Sequence, residues 1–199
     1  MIEVKPVTLQ GKYVRLEPLN ESHVSGLAEI GVGKPFWDFM VYGKMESVDD
    51  MSNWVKGLLG RAAKGTDLPF AVIHLASGRV AGATRYLNIV PENNGLEVGG
   101  TWYGLEFQRT AVNTECKYLL IKHAFEDLGC IRVQLKTDSR NVRSQRAIER
   151  IGAKKEGVLR NHMILPDGYI RDSVFYSITD SEWTDVKVRL EKMLAYGHR

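Results

Sequence analysis

Cysteine is scarce in this chain, and its two copies, Cys116 and Cys130, stand alone. Neither has partners at metal-ligand spacing, which excludes a zinc centre and a disulfide framework. Isolated thiols of this kind are usually core residues, and Cys116 falls on the apolar side of a predicted helix. Both are therefore expected as buried free thiols, with no metal site. Charge of one sign is also missing. A net charge of +3 over 199 residues governs solubility and marks no clear nucleic-acid site. No apolar run approaches the ~20 residues of a membrane span. Met1 to Leu9 carry no continuous apolar stretch of the secretory kind. Repeats, low-complexity tracts and linkers are lacking as well. What these absences leave is a cytoplasmic protein without a membrane partner. It is expected as one domain over residues 1–199, long enough for a full hydrophobic core.

What is present is a steady alternation of element signals. Tyr13 to Leu19 alternates as a strand. Asn20 then caps a short helix to about Ile30. Gly31 to Lys44 is irregular and carries Phe36, Trp37, Phe39 and Tyr42. Ser47 and Asp50 make a helix start, and Lys64-Gly65 ends that helix after Ala63. Leu68 to Ala76, Arg79 to Val90 and Leu96 to Tyr103 read as three antiparallel strands joined by Ser77-Gly78 and by Pro91 to Gly95. A helix from Asn113 to Leu128 stops at Gly129, and Ile131 to Thr137 is the next strand. Asn141 to Ile151 is a helix ended by Gly152. Val158 to Leu165 and Tyr169 to Ile178 form a hairpin around Pro166-Asp167-Gly168. A last helix runs from Asp180 or Ser181 to about Ala195. The strand from Leu96, the helix after it and the strand from Ile131 make a parallel pair, so the sheet is mixed.

The most informative stretch is Gln108-Arg109-Thr110-Ala111-Val112-Asn113-Thr114-Glu115. It links a strand to a helix start. Such a start offers unpaired backbone N–H groups and the positive end of the helix dipole, which together cradle an anion. Without an anion it is an ordinary strand-to-helix turn.

This order, with these residues, resembles the GNAT acyltransferase superfamily, and more narrowly the RimJ/RimL-like branch. Three motifs carry the resemblance. Gln108-x-x-Ala111-x-Asn113 is similar to the family's Arg/Gln-x-x-Gly-x-Gly/Ala loop. Asn141-x-x-Ser144, followed by Ala147, Ile148, Glu149, Ile151, Gly152 and Ala153, resembles the helix after the family's fifth strand. Glu156-Gly157-x-x-Arg160 leads into a hairpin with Asp167-Gly168 and Arg171-Asp172. The resemblance spans roughly residues 8 to 185 and implies an α+β (mixed α/β) GNAT-like fold. Its mixed central sheet would have about seven strands, with helices on both faces. Two departures stand out. The loop glycines are Ala111 and Asn113, so either φ stays negative at Ala111 or the cradle has a different geometry. Ile148 stands where many relatives carry a tyrosine, so any acid role passes to another group.

The resemblance implies transfer of an acetyl group from acetyl-CoA to a primary amine, on a protein N-terminus or a small molecule, by direct attack. The alternative is a catalytically silent acyl-CoA-binding or interaction module. For transfer, backbone N–H groups from Arg109 to Thr114 would hold the pyrophosphate as a nest, with Gln108 also among the cofactor-binding residues. An N–H on the strand Leu96 to Tyr103 would polarise the thioester, an effect worth ~3 kcal/mol. Gly99-Gly100 marks a bulge or bare backbone there. The acceptor must lose a proton, since α-amines have pKa ~8 and lysines ~10.4. Glu97 is the favoured base, with Glu106 second. Ser144 is the favoured group for the departing thiolate, and Asn141 would orient the cofactor beside it, one helical turn away. Asn141 is equally a good N-cap. Arg143, Arg146 and Arg150 form a stripe that is solvated, or in which Arg143 meets the 3′-phosphate. Trp37 and Phe39 would wall the acceptor site, with Arg85 as an anion contact and His162 near the hairpin. Core packing is an equal reading for the aromatics. Monomer and homodimer both remain open.

Overall fold

The YVRLEPL alternation becomes strand β2 (Val14–Pro18), preceded by a two-residue strand β1 (Leu9–Gln10). These come from a computed structural model describing residues 1–196, so the last three positions of the expected domain lie outside the described residues. Asn20 makes a capping box over a short 3-10 turn that runs into α1 (Val24–Gly31). Ser47 and Asp50 make a second box on α2 (Val48–Ala63), each satisfying a backbone N–H the helix itself cannot. Strands β3 (Leu68–His74), β4 (Val80–Val90) and β5 (Gly95–Tyr103) follow as hairpins. Next come α3 (Ala111–Lys122), β6 (Arg132–Asp138) and α4 (Val142–Arg150). The chain then forms β7 (Lys154–Ile164), β8 (Ile170–Thr179) and α5 (Asp180–Tyr196).

The sheet order is β1-β2-β3-β4-β5-β6-β8-β7, mixed through the parallel β5–β6 pair. It has eight strands among the described residues, where about seven were expected. The extra one is β1, which is too short to show any alternation. Helices lie on both faces. Gly31 of α1 approaches Met51 of α2 and Trp102, and Trp37, Phe36 and Trp54 pack on the Trp102 ring. On the other face the Tyr86 hydroxyl donates to the Leu120 carbonyl of α3 at 2.6 Å. Cys116 and Cys130 are both free and buried.

Helix α3 begins two residues before the expected start. Thr110 is its N-cap, its hydroxyl accepting from the Val112 N–H at 3.3 Å. The helix continues through a π turn at His123–Asp127. Glu115 in its second turn ties down the beginning of the chain. Its carboxylate accepts the backbone N–H groups of Lys12, Tyr13 and Val14 at 2.8, 2.6 and 2.7 Å. Gly11 lies against this carboxylate so closely that a Cβ there would sit 2.3 Å from its carbon.

At the other end of the sheet Glu156 pairs with Arg132 and accepts the Ser177 hydroxyl at 2.7 Å. The Arg132 hydrogen bonds outweigh burial and, with Ser177, hold this carboxyl at about 2. A carboxylate depressed in the folded state contributes stability above its unfolded pKa and loses it as pH falls toward the folded value. Glu156→Gln is therefore expected to flatten the fall in stability between about 4.5 and 2. The pair is partly exposed, so solvent screening keeps the effect small. Urea unfolding at stepped pH checks this, and identical acid limbs in both proteins would count against it.

Candidate active site

The site forms where β5 and β6 part. Their register runs Gly95↔Arg132, Leu96↔Val133 and Glu97↔Gln134, and goes no further. Beyond Glu97 the strands open into a cleft. On the opposite edge of β5 a bulge sets Gly100 and Thr101 against Thr84 alone, because Ala83 faces Trp102 and Arg85 faces Gly99. Gly100 has φ +58, and a Cβ on it would lie 2.9 Å from both Arg85 Nε and the Tyr42 hydroxyl. Only glycine provides this bare backbone without strain.

Glu97 stands at the apex of the cleft and is only 2% exposed. One of its oxygens, Oε2, accepts from Asn88 Nδ2 at 2.8 Å, Gln134 Nε2 at 2.9 Å and Lys136 Nζ at 3.2 Å. The other oxygen, Oε1, faces Gly99, 3.1 Å from where a Cβ would be. A carboxylate buried this deeply calls for hydrogen-bond partners, and these three donors supply them. Glu97 also lines a cavity of about 590 Å³ with Asn88, Val90, Ile131, Arg132 and Gln134. Glu106 lies at the surface, paired with Arg79 at 3.2 Å.

The loop after β5 has one left-handed residue, Arg109 at φ +60. Ala111 is the first residue of α3, and among the described residues it is not one with positive φ. The missing glycine thus costs the loop nothing at that position. Asn113 likewise lies in the first turn. Val112 is buried, whereas Arg109 and Thr110 are exposed and Ala111 and Asn113 half-buried. Thr114 is buried and its hydroxyl accepts from Arg150 Nη2 at 3.3 Å, tying α3 to α4. Gln108 connects both walls. Its Nε2 donates to the Tyr103 carbonyl at 2.9 Å, and its Oε1 accepts from Arg143 Nη1 at 3.0 Å. Asn141 is the N-cap of α4, with Oδ1 accepting from the Ser144 N–H at 3.0 Å. The arginine stripe is only partly solvated. Arg143 and Arg150 both make contacts across the helix interface, and burial lowers the Arg150 pKa.

The acceptor residues divide. Trp37 is 1% exposed, and its indole N–H donates to the Gly31 carbonyl at 2.8 Å. It is a core residue that presents no face to an acceptor, which corrects the expectation. Phe39 is half-buried beside the cleft, under Arg140 at 5.6 Å, and its carbonyl accepts from Arg171 at 3.4 Å. Arg85 is buried and held by Asp67 at 3.0 Å, stacked on the Tyr42 ring at 5.5 Å. That contact is ionic without hydrogen-bond geometry, so Nε and Nη1 keep unused donor capacity. His162 Nδ1 lies 3.0 Å from the Ser173 hydroxyl, and its ring meets Phe175 edge-on. Burial, then Lys136 and Arg171, lower its pKa.

Four partners escape sequence inspection. Asn88, Gln134 and Lys136 surround Glu97, and the i, i+2 spacing of Gln134 and Lys136 was the one available sign that they share a face. The fourth is Asp138, a fully buried carboxylate. Burial raises its pKa, but hydrogen bonds from Arg140 outweigh that and keep it low. Arg140 makes a fork onto it at 3.0 and 2.8 Å while stacking over Tyr169.

Residues 14–154 match the family model described as Acetyltransferase (GNAT) domain. The chain is similar to YdaF of Bacillus subtilis (strain 168), a proposed ribosomal N-acetyltransferase, at 32% identity over 113 residues. That alignment covers 57% of this chain and 61% of YdaF. Among solved structures, a GCN5-related N-acetyltransferase from Brucella melitensis superposes with a TM-score of 0.88 at 32% identity. The match covers 97% of this chain and 87% of that one. RimJ of Mycobacterium smegmatis, solved with CoA-disulfide, shares the fold at a TM-score of 0.82 and 19% identity, with 97% of both chains covered. Among the described residues no helix is long and apolar enough to cross a membrane. With its splayed parallel strands, its capped loop and these likenesses, the chain belongs to the GNAT acetyltransferase family.

Proposed function

We propose that this protein moves an acetyl group from acetyl-CoA to a primary amine by direct attack. The observation that carries this reading is Glu97, a buried carboxylate at the point where β5 and β6 part. Its Oε1 receives the proton shed by the attacking amine, directly or through a water, while Oε2 stays anchored by three donors. Acetyl-CoA supplies the activated acyl group. Its pyrophosphate suits the first-turn N–H groups of α3, with Gln108, Arg109 and Arg143 at the rim. Negative φ at Ala111 removes the main objection to that fit. Asn141 orients the donor from the start of α4, and Ser144 hydrogen-bonds the departing thiolate. The acceptor enters past Phe39, His162 and Arg85 to reach Glu97. The described residues act as one domain in this reading.

The test is free-thiol release from acetyl-CoA with a panel of amines, including peptides with free N-termini. Turnover on at least one amine is expected. Ser144→Ala should lower kcat by about tenfold without changing acetyl-CoA affinity, as loss of one transition-state hydrogen bond does. Coenzyme A binding with no thiol release on any amine would instead mark a silent acyl-CoA-binding module.

A further inference from the structure

Lys117 of α3 is buried, and among the described residues no ion pair joins it to a carboxylate. An ammonium in such a place is costly and calls for a reason. Its Nζ donates to the Thr101 hydroxyl at 2.7 Å. Thr101 is the residue after Gly100 in the β5 bulge. Its hydroxyl lies 2.8 Å from that of Thr84 and makes a long contact of 3.5 Å to the Gly99 carbonyl. The Gly99 carbonyl and the Gly100 N–H belong to one peptide group. Drawing electron density toward the oxygen makes the N–H a stronger donor, as in any polarised hydrogen-bond chain.

We propose that Lys117 is a positioning residue for acetyl transfer, holding a positive charge behind the bulge so that the backbone N–H groups of β5 polarise the thioester carbonyl more strongly. This rests on the acetyl-CoA reading of the cleft. Glu97 serves the amine from the other side of the same strand, and Lys117 serves the acyl group. Burial lowers the Lys117 pKa to about 8, so its charge is present at neutral pH and lost above it. The titratable neighbour acting on it is the Cys116 thiol, raised to about 12 by burial and therefore neutral. Cys116 in turn contacts the Tyr103 hydroxyl, raised well above its usual value, and Glu115 is committed to the N-terminal turn.

The experiment follows the carbonyl resonance of acetyl-CoA labelled with ¹³C at that carbon, bound to the protein, from about pH 6 to 10. The bound resonance should lie downfield of free acetyl-CoA and move back with a midpoint near 8. In Lys117→Met and Thr101→Val it should sit at the alkaline position throughout, with kcat down about tenfold and acetyl-CoA affinity unchanged. Thr101→Ser keeps the hydroxyl and should behave as the parent, which preserves the contrast if Lys117→Met folds poorly. A bound resonance whose position and pH course are the same in the parent and in Thr101→Val overturns the proposal. No bound resonance in the parent overturns the acetyl-CoA reading, and this inference with it.

Discussion

Glu97→Gln is expected to lower turnover at least ~100-fold, the low end of what a positioned general base contributes. Acetyl-CoA affinity should hardly move, because the capped loop lies at the far end of β5. The substitution keeps the size of the side chain and removes its negative charge and its basicity. It also leaves Lys136, 3.2 Å away, without the carboxylate it answers. The amine then has no partner for its proton at the moment of attack. Thiol-release kinetics read kcat, and calorimetry with coenzyme A reads binding. Full kcat in the variant would remove Glu97 from the mechanism. A loss confined to affinity would make it a binding residue.

The second large effect concerns stability. Glu115→Ala is expected to lower unfolding free energy by ~3 kcal/mol or more, since hydrogen bonds to a charged group contribute ~1.5–3 kcal/mol each. Three backbone N–H groups lose their acceptor together, and Val14, at 0% exposure, has no water to turn to. For a chain of this length that corresponds to roughly 10 °C in Tm. Gly11→Ala should act in the same direction, because its methyl group would occupy the space of a carboxylate that is pinned on both oxygens. Urea and thermal unfolding of both variants check this. A Tm within about 2 °C of the parent for Glu115→Ala would mean that the N-terminal turn holds itself.

Much of the architecture was legible because local chemistry and global fold agree. The Asn20 cap, the Ser47–Asp50 capping box, the hairpin turns and the alternation of β2 and β6 fell where their residues placed them. The parallel pair followed from one strand–helix–strand unit. What escaped was set by distance or by bulges. Glu115 meets residues about a hundred positions away, and nothing local in Thr-Glu-Cys announces that. The contacts of Glu97 with Asn88 and Lys136 depend on register, which shifts at irregular points between Leu87 and Val90. Trp37 is core because its ring packs between Phe36 and Trp102, which the loop's composition alone does not reveal. The start of α3 lies two residues earlier than expected because the Thr110 hydroxyl caps the helix by accepting the Val112 N–H.

The short register between β5 and β6 has a consequence for how the protein breathes. Strand β6 meets β5 only from Arg132 to Gln134, yet it runs beside β8 along its whole length. One wall of the cleft is thus anchored in the N-terminal part of the sheet, and the other in the C-terminal hairpin. The two parts should open as separate cooperative units in hydrogen exchange, with the seam at Glu97. Whatever spans the cleft then fastens the halves of the molecule together.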